Sequence, residues 1–100
     1  EKKSIDYTQA SNYAATRLET IKKNTTTADD FNNIQSVSYM TLDNTNMFIY
    51  DIDVDSASTS LKQIGITIYY SNGNTTNPAP DSSKPNNGKI LRLGTYLIKP

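Results

Sequence analysis

Cysteine, histidine and tryptophan are all missing from this chain. Without cysteine there is no disulfide, no thiolate nucleophile and no Cys-ligated zinc; without histidine the commonest general base and metal ligand is gone. What remains for chemistry is carboxylates, hydroxyls and amines, and the order of residues nowhere assembles a base, a nucleophile and a metal cage. No enzymatic activity and no cofactor are therefore expected. Long hydrophobic runs are missing too: no apolar stretch is long enough to cross a membrane and no signal peptide is legible. Nor is there an excess of charge of one sign. Ten Lys and Arg balance ten Asp and Glu, which removes the overall field that would favour nucleic acid or an anionic membrane.

What is present is neutral polarity and enough apolar residues for one core. Asn, Ser and Thr supply about a third of the 100 residues, a composition suited to a secreted or cell-surface domain. The length allows a single domain over 1–100 with one modest core. The charges are zoned. Residues 1–23 carry five positive and three negative side chains, residues 24–61 carry only six aspartates, and residues 62–100 return five positive charges against Asp81. An acidic middle between two basic ends is a pattern that could steer neighbours in a head-to-tail assembly, and one that chance also produces in a lone domain.

Ser4 to Lys23 reads as an amphipathic helix. At about 100° per residue, Tyr7, Ala10, Ala14, Leu18 and Ile21 fall within about 40° of one line, and the two alanines would let the helix lie close to its neighbour. Lys22 and Lys23 suit the negative end of the helix dipole. Ile5 falls on the far side and marks a second contact face if the helix continues upstream. In the linker 24–35, Thr27 is a candidate N-cap for a short helix from Ala28 to Asn33, with Asp29 and Asp30 in its first turn.

From about 36 to 98 the pattern changes to strands. "SVSYMTLD" alternates weakly, with Val37 and Tyr39 on one face and Met40 and Leu42 on the other. "MFIYDIDVD" is clearer: Phe48, Tyr50, Ile52 and Val54 share a face, and Asp51, Asp53 and Asp55 share the opposite one. In "LKQIGITIYY", Ile64, Ile66, Ile68 and Tyr70 repeat the match, and in "GKILRLGTYLIKP", Leu91, Leu93 and Leu97 line up with Thr95. The expected architecture is α+β, an N-terminal helix packed on an antiparallel sheet of about four strands. Between the last two strands the loop 72–88, rich in Asn, Pro and Gly, has no large apolar side chain and is expected to be exposed and mobile, either as a tolerated insertion or as a tip that contacts a partner.

Two groups of residues are candidate sites. Asp51, Asp53 and Asp55, with Asp43 and Asn46 across a turn, are of a type to ligate a hard cation such as calcium, although Ser56 and Lys62 stand where a calcium loop has Gly and Glu. The plainer reading is a solvated strand face whose charges deter edge pairing. Tyr69 and Tyr96, beside Gly65 and Gly94 on the outward faces of their strands, could stack on a sugar or a base, or could simply cover the glycine gaps. Basic residues interleave with them too sparsely for nucleic acid.

The order helix, linker, antiparallel strands, with "QASNYAATRLETIKK" leading in, "LKQIGITIYYSNGN" in the middle and "ILRLGTYL" closing, resembles the soluble domain of minor type IV pilins and of the minor pseudopilins of type II secretion. The likeness covers nearly the whole chain. It implies a non-enzymatic structural subunit of a pilus-like filament, acting in assembly initiation or at the tip. Its partners would be other pilin subunits and the inner assembly machinery, and its place would be the cell surface after a membrane-anchored stage. The resemblance puts the anchor, an apolar helix bearing a glutamate, upstream of Glu1, and puts Lys2, Lys3, Ile5 and Arg17 on the helix at the filament interface, where the basic residues would meet Asp51, Asp53 and Asp55 of a neighbour. The lack of cysteine departs from pilins that fasten their C-terminal region with a disulfide. The alternative reading is a bacterial surface module that recognises glycan or protein through Tyr69, Tyr96 and the loop.

Overall fold

A computed structural model describes residues 2–42, 47–74 and 76–100, with the side chains of the first helix from Tyr7 onward. The elements run α1 (Lys2–Asn24), α2 (Ala28–Asn32), β1 (Val37–Thr41), β2 (Phe48–Ser58), β3 (Leu61–Tyr70) and β4 (Lys89–Ile98). The strands form one antiparallel sheet in the order β1-β2-β3-β4, so each strand pairs with its neighbour in sequence. The fold is α+β, with one long helix on a four-stranded sheet.

Helix α1 lies mainly across β4 and β3. Ala10, Ala14 and Leu18, spaced four residues apart, are all buried, as a helix stripe laid on a core should be. Ile21 and Tyr13 flank the stripe, partly buried, and the Tyr13 ring meets that of Tyr50 at 5.6 Å. Tyr7 departs from expectation. It has the right angle on the helix but is 55 % exposed, because α1 has by then reached the end of the sheet. There Tyr7 borders Tyr70, the last residue of β3, and Lys89, the first of β4.

The sheet supplies the other half of the core. Phe48, Tyr50 and Ile52 of β2, Ile64, Ile66 and Ile68 of β3, and Leu91 and Leu97 of β4 are buried in one cluster with the helix stripe, Phe31 and Leu42, while Val54, Tyr70 and Leu93 pack against it. The three period-2 patterns of the sequence thus face the helix. Helix α2 closes the lower end. Thr27 accepts the Asp30 N–H and the Asp30 carboxylate accepts the Thr27 N–H, a reciprocal cap. Phe31 is buried, and Lys62 of β3 donates to its carbonyl at 2.6 Å with the ammonium over its ring.

One expectation fails locally and another is filled in. In β1, Val37 packs on the core while Tyr39 and Met40 are exposed. The alternation is broken by a bulge: Val37 pairs with Ile52 and Met40 with Tyr50, so Ser38 and Tyr39 together oppose Asp51, and Tyr39 takes a φ of 42°. The loop 72–88 is exposed over most of its described length, as expected, and it carries local hydrogen bonds. Asn72 donates to Ala79, Asp81 to Tyr70 and Lys84 to Asp81 along the backbone, and the side chains of Ser71, Asn72, Asn74 and Asp81 accept backbone N–H groups two or three residues on. Short polar side chains that close their own turns replace the apolar burial this segment lacks.

Candidate functional site

The face of the sheet turned away from α1 carries the residues singled out above. In register, Asp51, Asp53 and Asp55 of β2 stand opposite Thr67, Gly65 and Gln63 of β3, which stand opposite Arg92, Gly94 and Tyr96 of β4. Since side chains alternate across a strand, all nine positions share this outer face.

At one end Asp51 is the centre of a network. Its Oδ1 accepts the backbone N–H of Tyr39 at 3.0 Å and its Oδ2 accepts the Tyr69 hydroxyl at 2.8 Å. The N–H of Tyr39 is free for this bond because the bulge takes it out of the β1–β2 ladder. The Tyr39 and Tyr69 rings then meet edge-on at 5.8 Å. Partial burial, and after it the donated hydrogen bond to Asp51, push the Tyr69 phenol up to about 12.

One step along, Arg92 reaches back from β4. Its Nη1 is 2.5 Å from Asp53 Oδ2 and 3.0 Å from Thr67 Oγ1. The guanidinium lies over Gly65, where a Cβ would occupy its space. Glycine in β3 therefore opens the passage that lets a β4 arginine pair with a β2 carboxylate across the intervening strand. Sequence reading overlooked Arg92. Its signal was Gly65 in an otherwise β-branched strand, but the link to residue 92 requires the register of both pairings.

The aspartate triplet shares a face but does not form a cage. Asp51 is taken by two tyrosines' groups and Asp53 by Arg92, and no three acidic side chains converge on one point among the described residues. Asp43 and Asn46 lie outside the described residues. The Asp55 side chain has no hydrogen bond or ion pair among the described residues.

The two tyrosines offered as one stacking surface are apart. Tyr69 lies at the Lys89 end of the β3–β4 ladder and Tyr96 pairs with Gln63, six residues down β3, roughly 20 Å at the rise of a strand. Tyr69 is held by Asp51; Tyr96 is 58 % exposed. Neither covers Gly65, which Arg92 fills. Arg17 is exposed on α1, beside a shallow recess lined by Asn24, Ile34 and Ile52. It is on the helix side of the sheet, opposite the aspartates. Lys2 and Lys3, with Ile5, lie in α1 at positions whose side chains fall outside the described residues.

Comparison of the chain with protein families, with characterised proteins and with solved structures returned no match.

Proposed function

We propose that this chain is the globular head of a minor pilin or pseudopilin, a non-enzymatic subunit that enters a pilus-like filament of a type IV pilus or type II secretion system at initiation or at the tip. The observation that carries the reading is the layout: a 23-residue helix, with small residues Ala10 and Ala14 buried in its contact, precedes and lies on an antiparallel meander whose other face is turned away from it. In a filament the helix turns toward the core, and the two faces of the head meet different neighbours. Arg17 and Asp55 are then the charges to watch. They are exposed on opposite sides of one subunit, and neither has a charged partner among the described residues. Several exposed pairs between neighbours, each contributing a few tenths to about 1 kcal/mol, suffice to select register.

The test is incorporation in the native host. Filaments sheared from cells should contain the tagged subunit, and Asp55→Lys and Arg17→Glu should each lower its share there without changing the circular dichroism of the head. A subunit found only on the cell surface or free in the medium would overturn the reading. It would leave the surface-module alternative, for which the exposed Tyr96 ring is the supporting feature.

A further inference from the structure

The two edges of the sheet are built differently. Edge strand β1 has five residues and a bulge, the usual devices that blunt an edge. Edge strand β4 has ten, and its pairing with β3 runs without a break from Ile98 to Leu91. The phase of that ladder is fixed by the Lys99 N–H, which donates to the Ser60 carbonyl at 2.8 Å. Alternation then makes Leu97, Thr95, Leu93 and Leu91 the residues that exchange bonds with β3. The N–H and C=O groups of Ile98, Tyr96, Gly94 and Arg92 point away from the sheet.

This outward row has no proline or lysine, and its one charge does not guard it. Arg92 is drawn inward by Asp53 and Thr67. On the outer face of the same row, Tyr96 at 58 % and Ile98 at 74 % exposure follow the bare backbone of Gly94. A long, regular strand with backbone groups unpaired among the described residues and with exposed apolar side chains is a template for another strand.

We infer that β4 pairs antiparallel with β4 of a second copy of this chain, with Thr95 opposite Thr95 at the two-fold axis. This register sets Tyr96 of each copy over Gly94 of the other, the pairing in which an aromatic ring covers a glycine gap. It also sets Leu93 opposite Leu97 and Arg92 opposite Ile98, and opposes no two like charges. The adjacent registers are worse. Gly94 opposite Gly94 brings Lys89 against Lys99, and Tyr96 opposite Tyr96 pairs only residues 94–98 within β4 and sets Gly94 against Ile98 instead of under a ring. The interface is isologous, so it closes at two copies and joins two sheets into one of eight strands. It stands whether or not the chain belongs to a filament.

Sedimentation of the chain over a concentration series tests this. A reversible monomer–dimer equilibrium is expected at micromolar to high-micromolar concentration. Tyr96→Pro removes an outward N–H and no bond to β3, so it should leave the circular dichroism unchanged and abolish the dimer. Ile98→Lys, which faces Arg92 of the partner, should raise the dissociation constant at least about tenfold, whereas Ile98→Glu should leave it unchanged or lower it. Ile98 is exposed enough that these two variants keep the test decisive if the proline variant unfolds. A wild-type chain that stays monomeric at the highest concentration, or Lys and Glu variants that dimerise equally, would overturn the inference.

Discussion

A half-buried phenol that donates its proton to a carboxylate resists ionisation twice, since burial disfavours the phenolate and the hydrogen bond holds the neutral form. Tyr69 is in that position. Its folded pKa of about 12 lies above the ordinary 10.0, so its contribution to stability is complete below pH 10 and is lost as pH rises through 12. In an absorbance titration one tyrosine should ionise late, and the late step should vanish in Tyr69→Phe. The unfolding midpoint should fall more steeply between pH 10 and pH 12 in the wild type than in that variant. The Arg92–Asp53 pair invites a second measurement. Gly65→Ala places a methyl where the guanidinium lies, and as the pair is exposed the displacement should cost only about 0.2–1 kcal/mol. In an Arg92→Ala background Gly65→Ala should cost nothing, and equal costs in both backgrounds would refute the contact. These residues show where sequence reading stops. Tyr69 and the aspartates were visible as outward side chains, but a bond between positions 18 apart and an ion pair between positions 39 apart depend on strand register.

Among the elements, periodicity was the legible quantity. The alternations in β2, β3 and β4 and the alanine-centred stripe of α1 all face the core, because a period places every side chain on one face or the other without knowledge of the partner. Depth was not legible. Tyr7 and Leu18 have nearly the same angle on α1, yet Leu18, in the C-terminal half of the helix, is buried and Tyr7 is exposed at the sheet's end. Leu18→Ala should therefore cost roughly 2–5 kcal/mol and Tyr7→Ala less than a third of that, as read from urea midpoints. Comparable losses would mean that Tyr7 packs as deeply as its helical angle suggests. The bulge in β1 escaped sequence reading for another reason. It is set by the Tyr39 N–H turning to Asp51 on the next strand and by the Tyr39 ring meeting Tyr69 on the strand beyond, and neither partner lies within the alternating window.

At the scale of the whole molecule, the last strand completes the sheet and carries much of the helix contact, yet it is reached only through residues 71–88. Closing such a connection costs chain entropy that a long apolar-free loop must recover by other means. Here the recovery comes from polar turns and from one close backbone approach. Gly88 takes a φ of 81°, and a Cβ there would lie 3.0 Å from the Asp81 N and O and 3.2 Å from the Tyr70 carbonyl. Gly73 has a similar φ of 86°, but among the described residues nothing lies within 4 Å of where its Cβ would be. The two glycines separate backbone strain from packing. Gly73→Ala should cost about 1–2 kcal/mol, the penalty for a left-handed residue with a side chain. Gly88→Ala should cost more, since the added methyl must also push Asp81 away from the end of β3. Amide exchange locates the damage: the Asp81 N–H, which donates to Tyr70, and the Asn72 N–H, which donates to Ala79, should both lose protection in Gly88→Ala, while β2 amides exchange at rates set by the global stability alone. Equal costs for the two substitutions, with the Asp81 amide unprotected already in the wild type, would mean that the loop is not docked on the sheet and that β4 is held by its pairing with β3 and by α1.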